Sequence, residues 1–163
     1  MKQTLIFSSI LVVILTSCGQ PSIKNENQNL QTVIAEQTKI SGLKKTLQRL
    51  KKGELEYDFF GLTSNGTDCL YFVYENNGFN IEFEVMAESQ KQYFQQLKKY
   101  CIENNIKVVE TTYQNQPQYS DTKFAPVLRL EINATLNQTD KLGQTLMDKI
   151  FKNGSNTKYD IVP

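Results

Sequence analysis

Apolar and polar residues alternate through residues 55–86, a pattern typical of β-strands with one buried face. The strands predicted in this segment cover residues 55–62, 69–74 and 79–86. Asn65-Gly66 and Asn77-Gly78 lie between them, and Asn-Gly is the favoured pair in the two-residue turns of β-hairpins. The pattern therefore predicts two consecutive hairpins.

Two-residue turns also assign side chains to the two faces, because a shift of one residue moves a whole strand to the opposite face. The predicted core face carries Tyr57, Phe59, Leu70, Phe72, Tyr74, Phe79, Ile81, Phe83 and Val85. The predicted second face carries Glu56, Asp58, Phe60, Leu62, Cys69, Tyr71, Val73, Glu82, Glu84 and Met86. Acidic residues on a strand face are typical of a solvated surface, whereas the aromatic residues among them favour an interface.

Helical spacing of apolar residues predicts three helices around these strands. The first runs from Ile40 to a stop at Gly53, the second covers 88–104 and closes at Asn104-Asn105, and the third is capped by Asn137 or Thr139 and stops at Gly154. Further strands are predicted over 106–113 and 127–133, separated by a polar loop over 114–125, and the tail over 159–162 can add a short one. The predicted fold is α+β, with a five-stranded antiparallel sheet in the order α-β-β-β-α-β-β-α, in one domain over residues 38–163.

The start of the chain has the pattern of a targeting signal. Lys2 precedes a short apolar stretch, which is followed by Leu15-Thr16-Ser17-Cys18. This sequence resembles the lipobox of bacterial lipoproteins; an ordinary signal peptide with an incidental Cys is the alternative. The resemblance implies cleavage of a signal peptide over 1–17 and acylation of Cys18, with palmitate among the attached chains. A polar tether over 18–37, running into a short helix, would connect the lipid to the domain.

The implied location is the bacterial cell envelope, with the lipid on Cys18 as the membrane anchor. Gly19 rather than Asp follows the Cys, which by analogy with enteric lipoproteins favours the outer membrane, facing the periplasm. The order of elements after the tether resembles the type III secretion chaperone-like fold. That resemblance implies protein binding without catalysis, often as a homodimer. A ferredoxin-like or immunity-protein-like sandwich fits the same order.

The amino-acid composition excludes several classes of catalytic and metal-binding site. The 18 basic and 17 acidic side chains give a net charge of +1, which gives no reason to expect nucleic-acid binding. The absence of His excludes Ser-His-Asp and Cys-His catalysis and the usual His-containing zinc sites. No cofactor or metal is expected. Cys69 and Cys101 are expected to be two separate thiols because they fall on opposite faces, with a disulfide as the alternative.

These observations predict a lipid-anchored, noncatalytic protein-binding module with an unknown protein partner. The residues predicted to contact the partner are Glu56, Asp58, Phe60, Tyr71, Val73, Glu82 and Glu84. An immunity protein that blocks a toxin is one alternative. A small envelope hydrolase is another, because paired carboxylates can act as acid and base.

Overall fold

The computed structural model describes residues 35–112 and 126–163, and these residues belong to one compact unit. The predicted signal peptide, Cys18, most of the tether and the predicted loop over 114–125 lie outside the described residues. The described part is α+β, with one antiparallel sheet and three α-helices.

The elements follow one another in chain order. They are β1 (Glu36–Lys39), α1 (Leu43–Lys51), β2 (Phe59–Thr63), β3 (Leu70–Glu75), β4 (Gly78–Glu84), α2 (Lys91–Glu103), β5 (Val108–Thr112), β6 (Pro126–Ala134), α3 (Leu136–Lys149) and β7 (Lys158–Val162). Short 3-10 turns precede α1 and α2. The sheet order is β1-β7-β2-β3-β4-β6-β5, and all neighbouring strands are antiparallel.

The sheet has seven strands, so the prediction of five strands and of a chain starting with a helix is wrong. The additional strands are β1, for which no strand was predicted, and β7, which corresponds to the short strand that the tail over 159–162 was expected to allow. β7 lies between β1 and β2, where the segment after α3 returns to the sheet. Residues 36 and 37 of the predicted tether and short helix belong to β1 instead. The polar sequence of β1 carries no strand pattern, and its conformation follows from pairing its backbone groups with those of β7.

The second hairpin has the predicted faces, although its turn lies one residue earlier. Asn76 and Asn77 form the turn, with positive φ angles of 49° and 62°, and Glu75 lies opposite Gly78. Positive φ at both central residues is the geometry of a type I′ turn. Moving a two-residue turn by one position shifts each cross-strand pair by two residues, and a shift of two preserves the face of every side chain.

The first hairpin differs from the prediction by an odd shift, so the predicted register of β2 is wrong. Leu62 lies opposite Leu70 and Phe60 opposite Phe72, which no two-residue turn at Asn65-Gly66 allows. Phe60 and Leu62 therefore point into the core, and Phe59 points to the other face.

Asp68 explains the longer connection between β2 and β3. Its buried carboxylate accepts hydrogen bonds from Thr63 Oγ1 at 2.8 Å, from the backbone N–H of Ser64 at 2.8 Å and from Asn153 Nδ2 at 2.5 Å. Burial raises the pKa of Asp68, but hydrogen bonds from Ser64, Asn153 and Thr63 outweigh burial and hold the pKa below its usual value. The carboxylate thus organises a loop rather than a tight turn.

All three helices pack on one face of the sheet, where their apolar sides join the core. Leu43, Leu47 and Leu50 of α1, Leu97 of α2 and Leu146 of α3 are among the buried members of this core. α2 closes at Asn104 and Asn105 as predicted, and Asn105 has a left-handed φ of 53°. α3 starts earlier than predicted, because Thr135 caps it and the N–H of Thr135 donates to Gln138 Oε1 at 2.9 Å.

The end of α3 differs from the predicted stop at Gly154. α3 ends at Lys149, and Lys152 rather than Gly154 takes the left-handed conformation after it.

Cys69 and Cys101 are both buried free thiols. Cys69 lies on the face away from the helices, whereas Cys101 belongs to α2 and points into the core between α2 and the sheet, so the two side chains are on opposite sides of the sheet.

Candidate partner-binding site

The face of the sheet opposite the helices, here called the open face, carries no helix among the residues that the structure describes. It contains a pocket of about 420 Å³. This open-face pocket is lined by Tyr57, Phe59, Tyr71, Val73, Glu82, Glu84 and Pro163. Pocket volumes of roughly 300–1,000 Å³ are typical of ligand sites, so the space is sufficient for a small group to enter.

Cross-strand pairing brings these residues together. Phe59 lies opposite Val73, and Tyr71 lies opposite Glu82, so β2, β3 and β4 each contribute to the pocket. Three aromatic rings follow one another along one wall: the ring centroids of Tyr57 and Phe59 are 5.5 Å apart, and those of Phe59 and Tyr71 are 6.2 Å apart. The ring planes of Tyr57 and Phe59 are inclined by 31° and those of Phe59 and Tyr71 by 60°, so the three rings do not form a parallel stack.

Gly61 makes room for this arrangement at the centre of β2. A Cβ atom at this position would lie 2.8 Å from Cys69 Sγ, 2.8 Å from Val162 Cγ2 and 3.0 Å from Tyr71 Cε1. Only a residue without a side chain allows these three neighbours to close over β2. The place of the Tyr71 ring therefore depends on glycine at position 61.

The two carboxylates of the pocket have different surroundings. Glu82 forms an ion pair with Arg129, which lies directly opposite it on β6, and Arg129 also pairs with Glu75. Burial raises the pKa of Glu82. One guanidinium thus faces two carboxylates.

Glu84 has no such partner. No Lys or Arg among the described residues forms an ion pair with Glu84. Burial, and to a lesser degree the nearby charge of Glu82, raises the pKa of Glu84 to about 7. Near neutral pH the pocket therefore contains a carboxylate that is only partly ionised.

Four of the seven predicted contact residues line this pocket: Tyr71, Val73, Glu82 and Glu84. The placement of Phe60 on the predicted surface is wrong, because Phe60 is only 2% exposed and its ring stacks on Phe72 with 5.2 Å between centroids. Glu56 and Asp58 are exposed outside the pocket; Glu56 lies beside the Tyr57 hydroxyl and raises its pKa.

Sequence reasoning missed Tyr57, Phe59, Pro163 and the supporting Arg129. The first two were assigned to the core by the shifted register, and Pro163 depends on the pairing of β7 with β2. The orientation of Arg129 could have been predicted from the sequence. Arg129 lies between Leu128 and Leu130, which are buried, and successive side chains of a strand point to opposite faces, so Arg129 points away from the core.

Other surfaces of the described residues offer less defined chemistry. α1 exposes Lys44, Lys45 and Lys51, away from its buried leucines. Among residues 35–112 and 126–163, no group of three His, Cys, Asp or Glu side chains is placed to hold a metal ion. No helix in the same residues is long and apolar enough to cross a membrane.

Comparison with known proteins adds no relative to this picture. No protein-family model, no curated protein and no solved structure matches the chain. The residues and geometry of the open face are therefore the evidence that bears on function.

Proposed function

We propose that this protein is a lipid-anchored, noncatalytic protein-binding module of the bacterial cell envelope. The observation that carries the proposal is the open-face pocket, where three aromatic side chains and two carboxylates lie on a sheet face that no described helix covers. Aromatic residues are enriched in protein interfaces and often dominate their energetics. An immunity protein is one form of this proposal, with a toxin as the partner.

The proposed anchor is the lipid on Cys18, and its support is the sequence Leu15-Thr16-Ser17-Cys18 after an apolar stretch. The structure describes the domain from Ala35 onward. Sixteen residues, 19–34, therefore separate the proposed lipidated Cys from the described domain. Even fully extended, 16 residues reach at most roughly 53–58 Å. The domain would therefore act close to the membrane surface.

Site-specific photo-crosslinking in intact cells tests the binding surface. A photoreactive phenylalanine analogue replaces Tyr57, which is 46% exposed at the pocket, and in a control chain replaces Ile102, which is 64% exposed on α2. We expect a discrete crosslinked product from position 57 and none from position 102. Equal products from both positions, or none from position 57, would contradict the proposal.

Substitutions in the pocket then identify which side chains hold the complex. Tyr71→Ala should raise the dissociation rate, because an aromatic at the centre of an interface contributes most of its stability. Glu84→Lys should slow association by reversing a charge in the pocket. Glu82→Lys is unsuitable because it would place a second cation against Arg129. Surface plasmon resonance with the captured partner measures both rates, and circular dichroism verifies folding.

A carboxylate-based hydrolase is a second candidate, favoured by two carboxylates in one pocket, of which Glu82 pairs with Arg129 and Glu84 has a pKa raised to about 7. Carboxylates with pKa values pushed apart are typical of acid–base pairs. The candidate ranks second because both side chains project from β4 on one side of the space, whereas glycosidase carboxylates flank the bond that they cleave. Release of soluble fragments from cell-wall glycan by the wild type, lost in Glu84→Gln, would support it.

A further inference from the structure

We propose that the open-face pocket receives a single organic cation, the ammonium or guanidinium end of a basic side chain on the protein partner. This inference rests on the proposed function, and it specifies the chemistry by which the partner is recognised. The aromatic rings, the distribution of charge around the pocket and the pocket volume support a cationic guest.

The aromatic wall supplies the first element of a cation site. The rings of Tyr57, Phe59 and Tyr71 succeed one another at 5.5 and 6.2 Å between centroids along one side of the pocket. The face of an aromatic ring attracts a cation within about 6 Å of its centre, and the attraction is larger where water is displaced. An alkyl stem also gains by packing against such rings, as the long side chains of Lys and Arg do elsewhere.

An excess of carboxylates around the pocket is the second feature that favours a cation. Around Arg129, two carboxylates face one guanidinium, and Glu84 adds a third carboxylate with no cation of its own among the described residues. A half-buried carboxylate loses hydration without recovering an ion pair, and a cation entering the pocket would provide that pair. The field at the pocket thus favours a positive guest.

The same observations disfavour the other occupants. An anion would meet Glu82 and Glu84, and an apolar group would leave Glu84 unpaired. A second copy of this chain, docked through the same face, would bring the same carboxylates together. A metal ion would find two carboxylates and aromatic walls, whereas Ca²⁺ takes about six to eight oxygen ligands.

The pH dependence of binding follows from the ionisable groups that face Glu84. These are Glu82 on β4, Tyr57 before β2, Cys69 immediately before β3 and Tyr71 on β3. Arg129 on β6 pairs with Glu82. Burial raises the pKa of Cys69 to about 12, so the thiol stays neutral in the working range. Since the pKa of Glu84 is about 7, the ionised fraction of Glu84 rises about tenfold between pH 6 and pH 8, while an alkylammonium guest stays charged.

The test measures binding of capped single amino acids to the full chain in an uncharged detergent by isothermal titration calorimetry. The probes are the N-acetyl methylamides of lysine, arginine and norleucine, of which norleucine has an apolar side chain of similar length without the charge. We expect lysine and arginine to bind about tenfold more tightly than norleucine, and about tenfold more tightly at pH 8 than at pH 6. Equal affinities for lysine and norleucine would overturn the inference.

Variants assign the binding to the pocket. Glu84→Gln should remove most of the preference for lysine over norleucine and abolish the pH dependence between pH 6 and pH 8. The matched control is Glu131→Gln, which removes the same charge from the exposed part of β6, where Glu131 pairs with Lys107 outside the pocket. The control should bind like the wild type. An equal loss in both variants would mean that long-range charge, and not the pocket, holds the probes.

The outcome also separates this inference from the proposed function. If lysine binds no better than norleucine while crosslinking at position 57 persists, the cation inference fails and the protein-binding proposal stands. If the cationic probes bind with the expected dependence on Glu84 but position 57 yields no crosslink, the protein-binding proposal fails and the pocket is a site for small cations. Concentration-dependent self-association that Glu84→Gln strengthens would identify a second copy as the occupant and refute the inference.

Discussion

Phe60→Ala and Phe59→Ala should have opposite consequences, although the two residues are neighbours on β2. Phe60 is 2% exposed and stacks on Phe72, whereas Phe59 is half-buried beside the open-face pocket. Truncating a buried Phe removes its transfer free energy and leaves a cavity, which costs about 3–5 kcal/mol of unfolding free energy. For a domain of this size, that loss lowers the melting temperature by roughly 10–20 °C.

Phe59→Ala should cost less, about 1–2 kcal/mol, because the Phe59 side chain is only partly buried and lines the open-face pocket. Urea unfolding followed by far-ultraviolet circular dichroism gives both free energies, and an unchanged m-value in each variant keeps the two comparable. The partner-binding assay should rank the variants in the reverse order, with Phe59→Ala weakening binding among chains that remain folded.

The reverse order of stabilities would refute the register of β2. In that case Phe59 would occupy the core, as two-residue turns on both sides of β3 would require, and Phe60 would belong to the open face. Equal and small losses would mean that neither ring fills the space between β2 and the helices.

Three further predictions test other parts of the molecule. Glu84→Gln should stabilise the fold at pH 8 by about 1–2 kcal/mol after allowance for solvent screening, and have little effect at pH 5. The folded pKa of about 7 lies above the unfolded value, so rising pH costs stability in that window; urea unfolding that shows equal effects at both pH values contradicts this. Gly143→Ala should destabilise by about 1–3 kcal/mol despite the better helix propensity of Ala, since its Cβ would lie 2.7 Å from Leu43 Cδ2 and 2.9 Å from the Phe72 ring. A higher melting temperature of Gly143→Ala would contradict this and show that the Phe72 ring moves to accommodate the added methyl group. Cys18→Ala should move the chain from the detergent phase to the aqueous phase in Triton X-114 partitioning, and unchanged partitioning would contradict the lipoprotein prediction.

The sequence by itself determined the elements whose signals are local. Alternation and a short Asn-containing turn were sufficient to assign the faces of β3 and β4, even though the turn lies at Asn76-Asn77 rather than one residue later. The apolar spacing of α2 and its closing asparagines predicted that helix in the same way. These features depend on residues within a few positions of each other, so a linear pattern contains them.

The candidate site was predictable to the same extent. Tyr71, Val73, Glu82 and Glu84 come from the hairpin whose faces were assigned correctly, and they meet in one pocket. Phe59 and Phe60 were exchanged between the core and the open face, because a single odd shift in the first hairpin moves every side chain of β2.

Only the tertiary structure decided that shift, the presence of β1 and the place of β7 between β1 and β2. Asp68 receives a hydrogen bond from Asn153, 85 positions away, and holds the loop that sets the register of β2. Arg129 reaches Glu82 across 47 positions and distinguishes it from Glu84. β1 and β7 have weak patterns of their own and exist as strands through their mutual pairing. Periodicity reports which side of an element is buried, but register and strand pairing depend on backbone and side-chain partners that meet only after the chain has folded.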